Sequence, residues 1–206
     1  MSSVAEIAER LRQQAGPFSR YMVGIAGPPG SGKSTLSESL CQALEAMGES
    51  AVVVPMDGFH LDDAILNARG HRARKGAPHT YDVAGFEVLL KRIKACEPDI
   101  AIPVFDRSLE LARAGAELIS VKTKFILVEG NYLLLNEAPW HTLRTLFDFT
   151  LALDVPEAEL EHRLLARWRS FGFDETEARA KALGNDIPNA KLVLNASAKA
   201  DLTLSS

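Results

Sequence analysis

The sequence predicts an α/β fold with a mainly parallel five-stranded sheet that helices cover on both faces. Short apolar runs, such as 21–26, 51–55 and 125–128, alternate with longer segments in which apolar residues recur at helical spacing. This alternation is typical of parallel strands that are joined by helices. A glycine-rich segment directly follows the first run. Because ligands bind outside the carboxyl ends of parallel strands, we expect the functional residues where these runs end.

Periodicity and boundary signals place the individual elements. Asp82 is the expected N-cap of a helix, and Asp174 with Glu177 forms a capping box at the start of another. Residues 109–121 are predicted to form a hairpin that turns at Ala114 and Gly115. The other predicted elements are helices over 4–11, 34–47, 62–68 and 156–170, and strands over 21–26, 51–55, 100–105, 125–128, 149–153 and 200–204.

Composition favours a globular protein, which we expect to be a single domain over 1–206. Of the 206 residues, 47% are hydrophobic and 24% are charged. A net charge of -4 gives no general attraction to nucleic acid, so we expect no nucleic-acid partner. No apolar run is long enough to span a bilayer and no secretory leader is recognisable, so we expect no membrane insertion and a cytoplasmic location. Whether the chain forms a homodimer stays open.

Residues 27–34 read GPPGSGKS and match the phosphate-binding pattern G-x-x-x-x-G-K-[ST]. The motif lies between an apolar strand and an amphipathic helix, which is the context that it requires. We expect Lys33 to reach the β- and γ-phosphates of ATP and Ser34 to bind Mg²⁺. The chain is therefore predicted to adopt a three-layer P-loop NTPase fold. The predicted nucleotide-binding residues in this segment are Gly27, Gly30, Ser31, Gly32, Lys33, Ser34 and Thr35.

Two carboxylates follow strands that should end beside this loop. Asp57 follows the strand over 51–55, and Glu129 follows the strand over 125–128. Phosphoryl transfer to a hydroxyl needs a group that orients the acceptor and takes its proton, so we assign Asp57 as the base and Glu129 to the metal. The alternatives are that Asp57 is a turn or cap residue and that Glu129 only accepts hydrogen bonds from backbone N–H groups.

Basic residues are the other candidates for an anionic ligand. The segment 69–76, RGHRARKG, is predicted to be either a flap over such a ligand or a solvated loop. Arg107 follows the strand over 100–105 and is a candidate to hold a substrate oxygen, or to pair with Asp106 or Glu110 on the surface. Of the five histidines, only His60 lies near the candidate chemistry.

Three arginines lie on the predicted helix over 156–170. Arg163 and Arg167 share one face, because they are four residues apart. An arginine on this helix is a candidate to neutralise charge on the transferred phosphoryl group. A charged outer helix face is the alternative, and we favour it for Arg163 and Arg169.

The motifs occur together in an order that resembles the phosphoribulokinase/uridine kinase family, which includes bacterial pantothenate kinase. The resemblance is strongest to a short bacterial branch labelled "putative fructose transport system kinase" or nucleoside/nucleotide kinase family protein. It implies ATP and Mg²⁺ as cofactors, Asp57 as the catalytic aspartate, Glu129 at the metal and Arg167 as a lid arginine that contacts ATP phosphates, with the lid around 160–175. The motifs that carry it are the phosphate loop, MDGFH at 56–60, RG at 69–70, KGAP at 75–78, YD at 81–82, PVFD at 103–106 and VEGNY at 128–132.

Two departures leave the substrate open. Pantothenate kinases have Tyr-Ser-His where this chain has FDR at 105–107, and uridine kinases have Asp-Ser-Phe where it has DGF at 57–59. Neither pantothenate nor uridine is therefore assigned.

The sequence thus predicts an ATP-dependent kinase that transfers the γ-phosphoryl group to a hydroxyl of a small metabolite such as a sugar, a nucleoside or a pantothenate-like compound. The alternative is an ATP-gated, non-catalytic binding module that serves a sugar transport system, which would need Lys33 and Ser34 but not Asp57. A GTPase is disfavoured, since the sequence has no Asn-Lys-x-Asp motif. The predicted catalytic residues are Asp57, Lys33 and Arg167, and the predicted substrate residues are Asp57, His60, Arg69, Phe105, Arg107 and Tyr132.

Overall fold

The computed structural model describes residues 3–205, which form seven strands, seven α-helices and short 3₁₀ and π-helical turns. The strands are β1 Tyr21–Ala26, β2 Ala51–Pro55, β3 Ile100–Asp106, β4 Leu111–Ile119, β5 Phe125–Gly130, β6 Phe149–Asp154 and β7 Leu202–Ser205. The α-helices are α1 Val4–Ala15, α2 Lys33–Ala46, α3 Asp63–Ala68, α4 Val83–Lys94, α5 Glu157–Ser170, α6 Glu175–Lys181 and α7 Ile187–Ala196.

Five strands form one parallel sheet in the order β2-β5-β1-β6-β7. This confirms the predicted α/β fold with a five-stranded sheet. Every residue of β1 and of β5 is buried, as expected for strands that are covered on both faces. Among residues 3–205, no helix is long and apolar enough to cross a membrane.

Separate hydrophobic clusters cover the two faces of the sheet. On one face, α1 and α2 bury residues such as Leu11 and Leu40 against β1, β5 and β6. On the other face, α4 and the segment after β5 bury Phe86 and Trp140. A smaller cluster that includes Leu164 joins α5 to α7. The architecture therefore has three layers, with helices on both sides of the sheet.

The hairpin prediction for 109–121 is wrong. Residues 111–119 are a single strand, β4, which pairs antiparallel with β3 in a separate two-stranded sheet. Gly115 does not turn the chain, and the register shifts opposite it, between Ile102 and Val104. A glycine with φ of 63° in the middle of a strand is typical of such an irregularity.

The turn of this hairpin lies at 107–110, where local hydrogen bonds close it. The Asp106 Oδ1 atom accepts hydrogen bonds from the backbone N–H groups of Ser108, at 3.0 Å, and Leu109, at 3.2 Å. Glu110 has a φ of 55°, in the left-handed region. An aspartate that caps its own turn in this way ends the strand at Asp106.

The chain beyond α5 is more helical than the sequence predicts. The capping box of Asp174 and Glu177 begins α6, as predicted. The chain then continues through a π-helical turn, Ala182–Asp186, into α7. The sequence does not predict this π-helical turn. Such turns often occur at functional sites.

The 3₁₀ turn Met56–Phe59, which follows β2, packs closely against β3. A Cβ atom at Gly58 would lie 2.3 Å from the carbonyl oxygen of Pro103. Because that atom belongs to the backbone, the hairpin itself would have to shift to accommodate any side chain at this position. The glycine therefore sets the distance between Asp57 and the hairpin.

We expect Gly58→Ala to lower the free energy of unfolding by about 1–3 kcal/mol, because it overpacks a backbone contact. Gly184→Ala is the matched control, since the new Cβ would meet no atom of the surrounding structure within 4 Å, and it should leave the free energy of unfolding unchanged or raise it by up to about 1 kcal/mol. Urea unfolding followed by circular dichroism measures both. Equal stabilities of the Gly58→Ala variant and the wild type would contradict the close packing.

Candidate active site

A cavity of about 1130 Å³ opens at the carboxyl edge of the central sheet. The phosphate-binding loop and the first turn of α2 line one side of it. The turn after β2, the β3–β4 hairpin, the segment 72–76 and residues of α5, α6 and the π-helical turn line the rest. The cavity thus lies where parallel α/β sheets bind their ligands.

The phosphate loop presents hydrogen-bond donors that no side chain satisfies. Gly32 is the N-cap of α2, with a φ of 92° and no side-chain capping bond. A Cβ atom at Gly30 would lie 3.1 Å from Leu164 of α5, so the loop packs closely under that helix. The buried Ser31 Oγ atom has no hydrogen-bond partner among the described residues. Free N–H groups at a helix N-terminus beside an unsatisfied hydroxyl fit a bound phosphate.

Lys33 and Ser34 begin α2 at the base of the cavity. The Lys33 Nζ atom donates a hydrogen bond to the carbonyl oxygen of Pro28 at 3.0 Å. Burial lowers the pKa of Lys33 to about 8, against the opposing effect of the carboxylates Glu129 and Asp57. The ammonium is therefore held without a direct carboxylate partner, so its charge is available to a phosphate.

Glu129 ends β5 and faces Ser34. The Ser34 hydroxyl donates a hydrogen bond to its Oε1 atom at 3.4 Å. Burial, together with the nearby negative charge of Asp57, raises the pKa of Glu129. No group of three His, Cys, Asp or Glu side chains that could hold a metal occurs within residues 3–205. A hydroxyl and one carboxylate nonetheless suit Mg²⁺, which usually keeps several waters and binds phosphate oxygens.

Both carboxylate oxygens of Asp57 are engaged. The Oδ2 atom lies 2.7 Å from an Nη atom of Arg107, and the Oδ1 atom accepts a hydrogen bond from the Tyr81 hydroxyl at 3.3 Å. Burial acts to raise the pKa of this carboxyl, but the neighbouring His60, Arg107 and Lys33 side chains lower it overall. Asp57 is therefore ionised at neutral pH.

His60 packs beside Asp57 and is uncharged. Its ring stacks on Tyr81 with centroids 4.1 Å apart and lies 4.8 Å from the Phe105 ring. Burial lowers the pKa of His60 to about 4, which the negative charge of Asp57 only partly opposes. Its Nε2 atom lies 3.8 Å from Asp57 Oδ1, beyond hydrogen-bond distance.

Arg167 is the only one of the three arginines on α5 that forms no ion pair among the described residues. Arg163 pairs with Glu159 at 2.7 Å, and Arg169 pairs with Glu175 at 2.7 Å. Burial and the like charge of Arg107 lower the pKa of Arg167. Both Arg163 and Arg167 line the cavity, whereas Arg169 does not.

A partly buried hydrogen bond connects the region around Arg167 to the π-helical turn. The Trp168 indole N–H donates to the Asp186 Oδ2 atom at 2.6 Å, across 18 residues of sequence. Burial raises the pKa of Asp186. The Lys181 ammonium lies 4.8 Å from the Trp168 ring centroid and 4.6 Å from that of Phe173. These contacts hold α5, α6 and the turn together on one side of the cavity.

The basic segment 69–76 is tied to its neighbours. The Lys75 Nζ atom donates hydrogen bonds to Asp63 at 2.8 Å and to the Glu110 carbonyl oxygen at 2.7 Å. Arg74 donates to the Gly184 carbonyl oxygen at 2.9 Å and to Asn189 Oδ1 at 3.1 Å. The segment therefore bridges the hairpin and α7 across one side of the cavity.

The structure gathers most of the predicted site residues around the cavity. Arg69 is exposed at the end of α3 and does not line it. Tyr132 is fully buried, and its hydroxyl supports the basic segment by donating to the Gly76 carbonyl oxygen at 2.6 Å. Gly27 and Ser31 belong to the phosphate loop but do not line the cavity. The predicted residues that line the cavity are Gly30, Gly32, Lys33, Ser34, Thr35, Asp57, His60, Phe105, Arg107, Glu129 and Arg167.

Sequence reasoning assigned no role to several residues of the site. Tyr81 belongs to a quoted motif, but its contact with Asp57 crosses 24 residues. Asn185, Asp186 and Asn189 line the cavity from the π-helical turn and α7. A helix that continues through a π-helical turn has no distinctive local composition, so only the fold brings these residues to the site.

A model of the family described as methylmalonyl Co-A mutase-associated GTPase MeaB matches residues 2–60. The match covers the first strand, the phosphate loop and the segment up to the end of the turn after β2. It is less than a third of the chain, and it indicates a shared nucleotide-binding unit.

Relatives of similar length match nearly the whole chain. The chain is 35% identical to YggC of Escherichia coli K12, described as uncharacterized, over 92% of this chain and 79% of that protein. It is 33% identical to the "putative uridine kinase C227.14" of Schizosaccharomyces pombe, over 94% of this chain and 86% of that protein. It is 30% identical to a pantothenate kinase of Halalkalibacterium halodurans, although it spans only 55% of that protein.

A solved structure shares both fold and sequence. The crystal structure of a "putative fructose transport system kinase" from Silicibacter sp. TM1040 superposes with a TM-score of 0.95 at 41% identity, over 99% of this chain and all of that chain. Together with the motifs at the cavity and the full-length relatives, this match shows that the chain belongs to the phosphoribulokinase/uridine kinase family of P-loop kinases.

Proposed function

We propose that the chain is an ATP- and Mg²⁺-dependent kinase that transfers the γ-phosphoryl group to a hydroxyl of a small metabolite. The observation that carries the proposal is the ionised carboxylate of Asp57, which lines the same cavity as the phosphate loop. A chain that only bound nucleotide would have no use for a partly buried carboxylate at that position. The names of the relatives support small-molecule phosphorylation and do not single out one acceptor.

In the proposed mechanism, the chain contributes mainly positioning and charge. The N–H groups from Gly30 to Ser34 bind the phosphates, and the Lys33 ammonium neutralises their charge. Arg167 approaches from α5 on the other side. Since Arg167 has no ion-pair partner among the described residues, its charge is free to act on the transferred group.

Asp57 would orient the acceptor hydroxyl and take its proton as the oxygen attacks. Its ionised state at neutral pH suits this role. Tyr81 holds one carboxylate oxygen, and the stacked, uncharged ring of His60 holds Tyr81 in place. Ser34 and Glu129 would hold Mg²⁺, which supplies charge neutralisation at the phosphate oxygens.

The second candidate is an ATP-gated binding module that phosphorylates nothing. The description of the Silicibacter protein as belonging to a fructose transport system motivates this alternative. A binding module needs the phosphate loop to bind ATP, but it does not need the Asp57 carboxylate. The two candidates therefore differ in what a conservative change at Asp57 does.

We expect Asp57→Asn to cut acceptor-stimulated ADP release by roughly a hundredfold or more, because the amide cannot take the proton. ATP affinity should stay close to that of the wild type, because the phosphate loop is unchanged. ADP release is measured with Mg²⁺·ATP against sugars, sugar phosphates, nucleosides, glycerate and pantothenate. ATP affinity is measured by calorimetry.

Asp154→Asn is the matched control for this variant. Asp154 is also a carboxylate at a strand end, but it is exposed and does not line the cavity, so its variant should keep the wild-type rate. Full activity of Asp57→Asn would contradict the base assignment. Tight ATP binding without ADP release for any acceptor would favour the binding module.

We expect the kcat/KM for ATP to fall above about pH 8, where free Lys33 loses its proton. The ammonium is present below this pKa and absent above it, so phosphate binding weakens as the pH rises. At saturating ATP, kcat should decline less, because bound phosphates stabilise the protonated lysine. A pH profile of both constants checks this, and a kcat/KM that stays constant up to pH 10 would contradict it.

A further inference from the structure

Arg107 occupies the atom of Asp57 that an acceptor hydroxyl would need. The guanidinium lies 2.7 Å from Asp57 Oδ2, while Tyr81 already donates to Oδ1. Arg107 comes from the turn of the β3–β4 hairpin, and 51% of its side chain is exposed. It therefore has room to swing toward another partner without disturbing the core.

The proposed reaction itself removes the partner of Arg107. When Asp57 takes a proton, the carboxyl becomes neutral, and the ion pair with Arg107 loses its attraction. No other carboxylate among the described residues pairs with Arg107. A guanidinium beside the base also weakens it, because a positive charge disfavours protonation. Proton transfer to Asp57 is therefore easier when a second anion binds the Arg107 guanidinium.

The side of the cavity that segment 72–76 lines, where the acceptor would bind, has further positive charge. Arg74 is half-buried and donates only to the neutral oxygens of Gly184 and Asn189, so no anion compensates its charge among the described residues. Arg72 pairs with Asp63 at 2.7 Å, and Lys75 pairs with Asp63 at 2.8 Å and with Glu110 at 3.8 Å. The three cations Arg72, Arg74 and Lys75 thus face two carboxylates. A neutral acceptor would leave the excess positive charge without a counter-charge, whereas an anionic acceptor would neutralise part of it.

We propose that Arg107 selects an acceptor that carries a carboxylate or phosphate near its reactive hydroxyl, and that this anion draws the guanidinium away from Asp57. A guanidinium binds either anion in bidentate geometry. The inference rests on the proposed kinase function and adds the class of acceptor to it.

The proposed exchange leaves Asp57 Oδ2 free for the acceptor. The hydroxyl oxygen then forms its bond to the γ-phosphorus as the bond from that phosphorus to the bridging oxygen of ADP breaks. The hydroxyl proton goes to Asp57. Arg107 keeps an anionic partner throughout, so its charge is not left unpaired when Asp57 becomes neutral.

Matched pairs of acceptors that differ in their anionic group test the proposal. The carboxylate arm compares glycerate with glycerol and pantothenate with panthenol. The phosphate arm compares fructose 6-phosphate with fructose and ribulose 5-phosphate with ribulose. In at least one pair, the anionic member should have a kcat/KM about ten- to a hundredfold higher, as expected for a charge-assisted hydrogen bond.

Variants of two arginines on the same hairpin separate recognition from structure. Arg107→Gln should remove most of this preference, because it should slow the anionic member about ten- to a hundredfold more than the neutral member. Arg113→Gln is the control, because Arg113 pairs with Asp106 at 3.4 Å and does not line the cavity. It should keep the wild-type preference.

Two results would overturn the inference while the kinase proposal stands. One is a neutral acceptor that is used as well as its anionic counterpart, and the other is an equal loss on both members in Arg107→Gln, which would mean that Arg107 only positions Asp57. If no compound releases ADP, the kinase proposal fails. The inference about Arg107 can then be tested by binding alone. Calorimetry measures the affinity of the same pairs for the protein in complex with a non-hydrolysable ATP analogue. The anionic members should still bind more tightly to the wild type than to Arg107→Gln.

Discussion

The parallel register of β2, β5 and β1 is the constraint on which the rest of the site depends. Pro55 pairs with Glu129 across β2 and β5, and Ile25 pairs with Glu129 across β1 and β5, so the three strands end level at one edge. The phosphate loop, Asp57 and Glu129 follow directly from those ends. The site therefore needs no long loop to bring its groups together, and its geometry is as rigid as the sheet. The hairpin, α5 and the π-helical turn add the remaining walls.

Opposite charges that lie close together reduce the free-energy cost of burying ionised groups at this edge of the sheet. Lys33 and Glu129 are buried and Asp57 is partly buried, and each of these charges would be costly to remove from water alone. Their mutual attraction offsets part of that cost, and the opposite directions of the pKa shifts of Asp57 and Glu129 reflect their different neighbours. Asp57 is surrounded by cations, whereas Glu129 faces Asp57 and a serine. The same neighbours separate the proposed roles of base and metal ligand.

Sequence reasoning reached the parts of the site that follow from local pattern. The phosphate loop is a contiguous motif, and Asp57 and Glu129 each follow a recognisable apolar strand. It failed for the hairpin because a glycine in the middle of β4 has the local signature of a turn, while the real turn is closed by Asp106. It could not foresee the Arg107–Asp57 pair, which joins residues 50 apart, or the contacts of Arg74 with Gly184 and Asn189. Such contacts depend on how the elements pack.

If the phosphate loop and Asp57 form one kinase site, the γ-phosphoryl group of ATP moves to the acceptor hydroxyl that Asp57 deprotonates, and a label on that group follows the transfer. The protein is incubated with Mg²⁺ and ATP labelled at the γ-phosphorus, together with a mixture of small hydroxyl compounds, and the products are separated by chromatography. We expect the label to move into an organic phosphate ester with the wild type and not with a variant that lacks the Asp57 carboxylate. Label that stays in ATP, or that appears only as inorganic phosphate, would contradict this expectation.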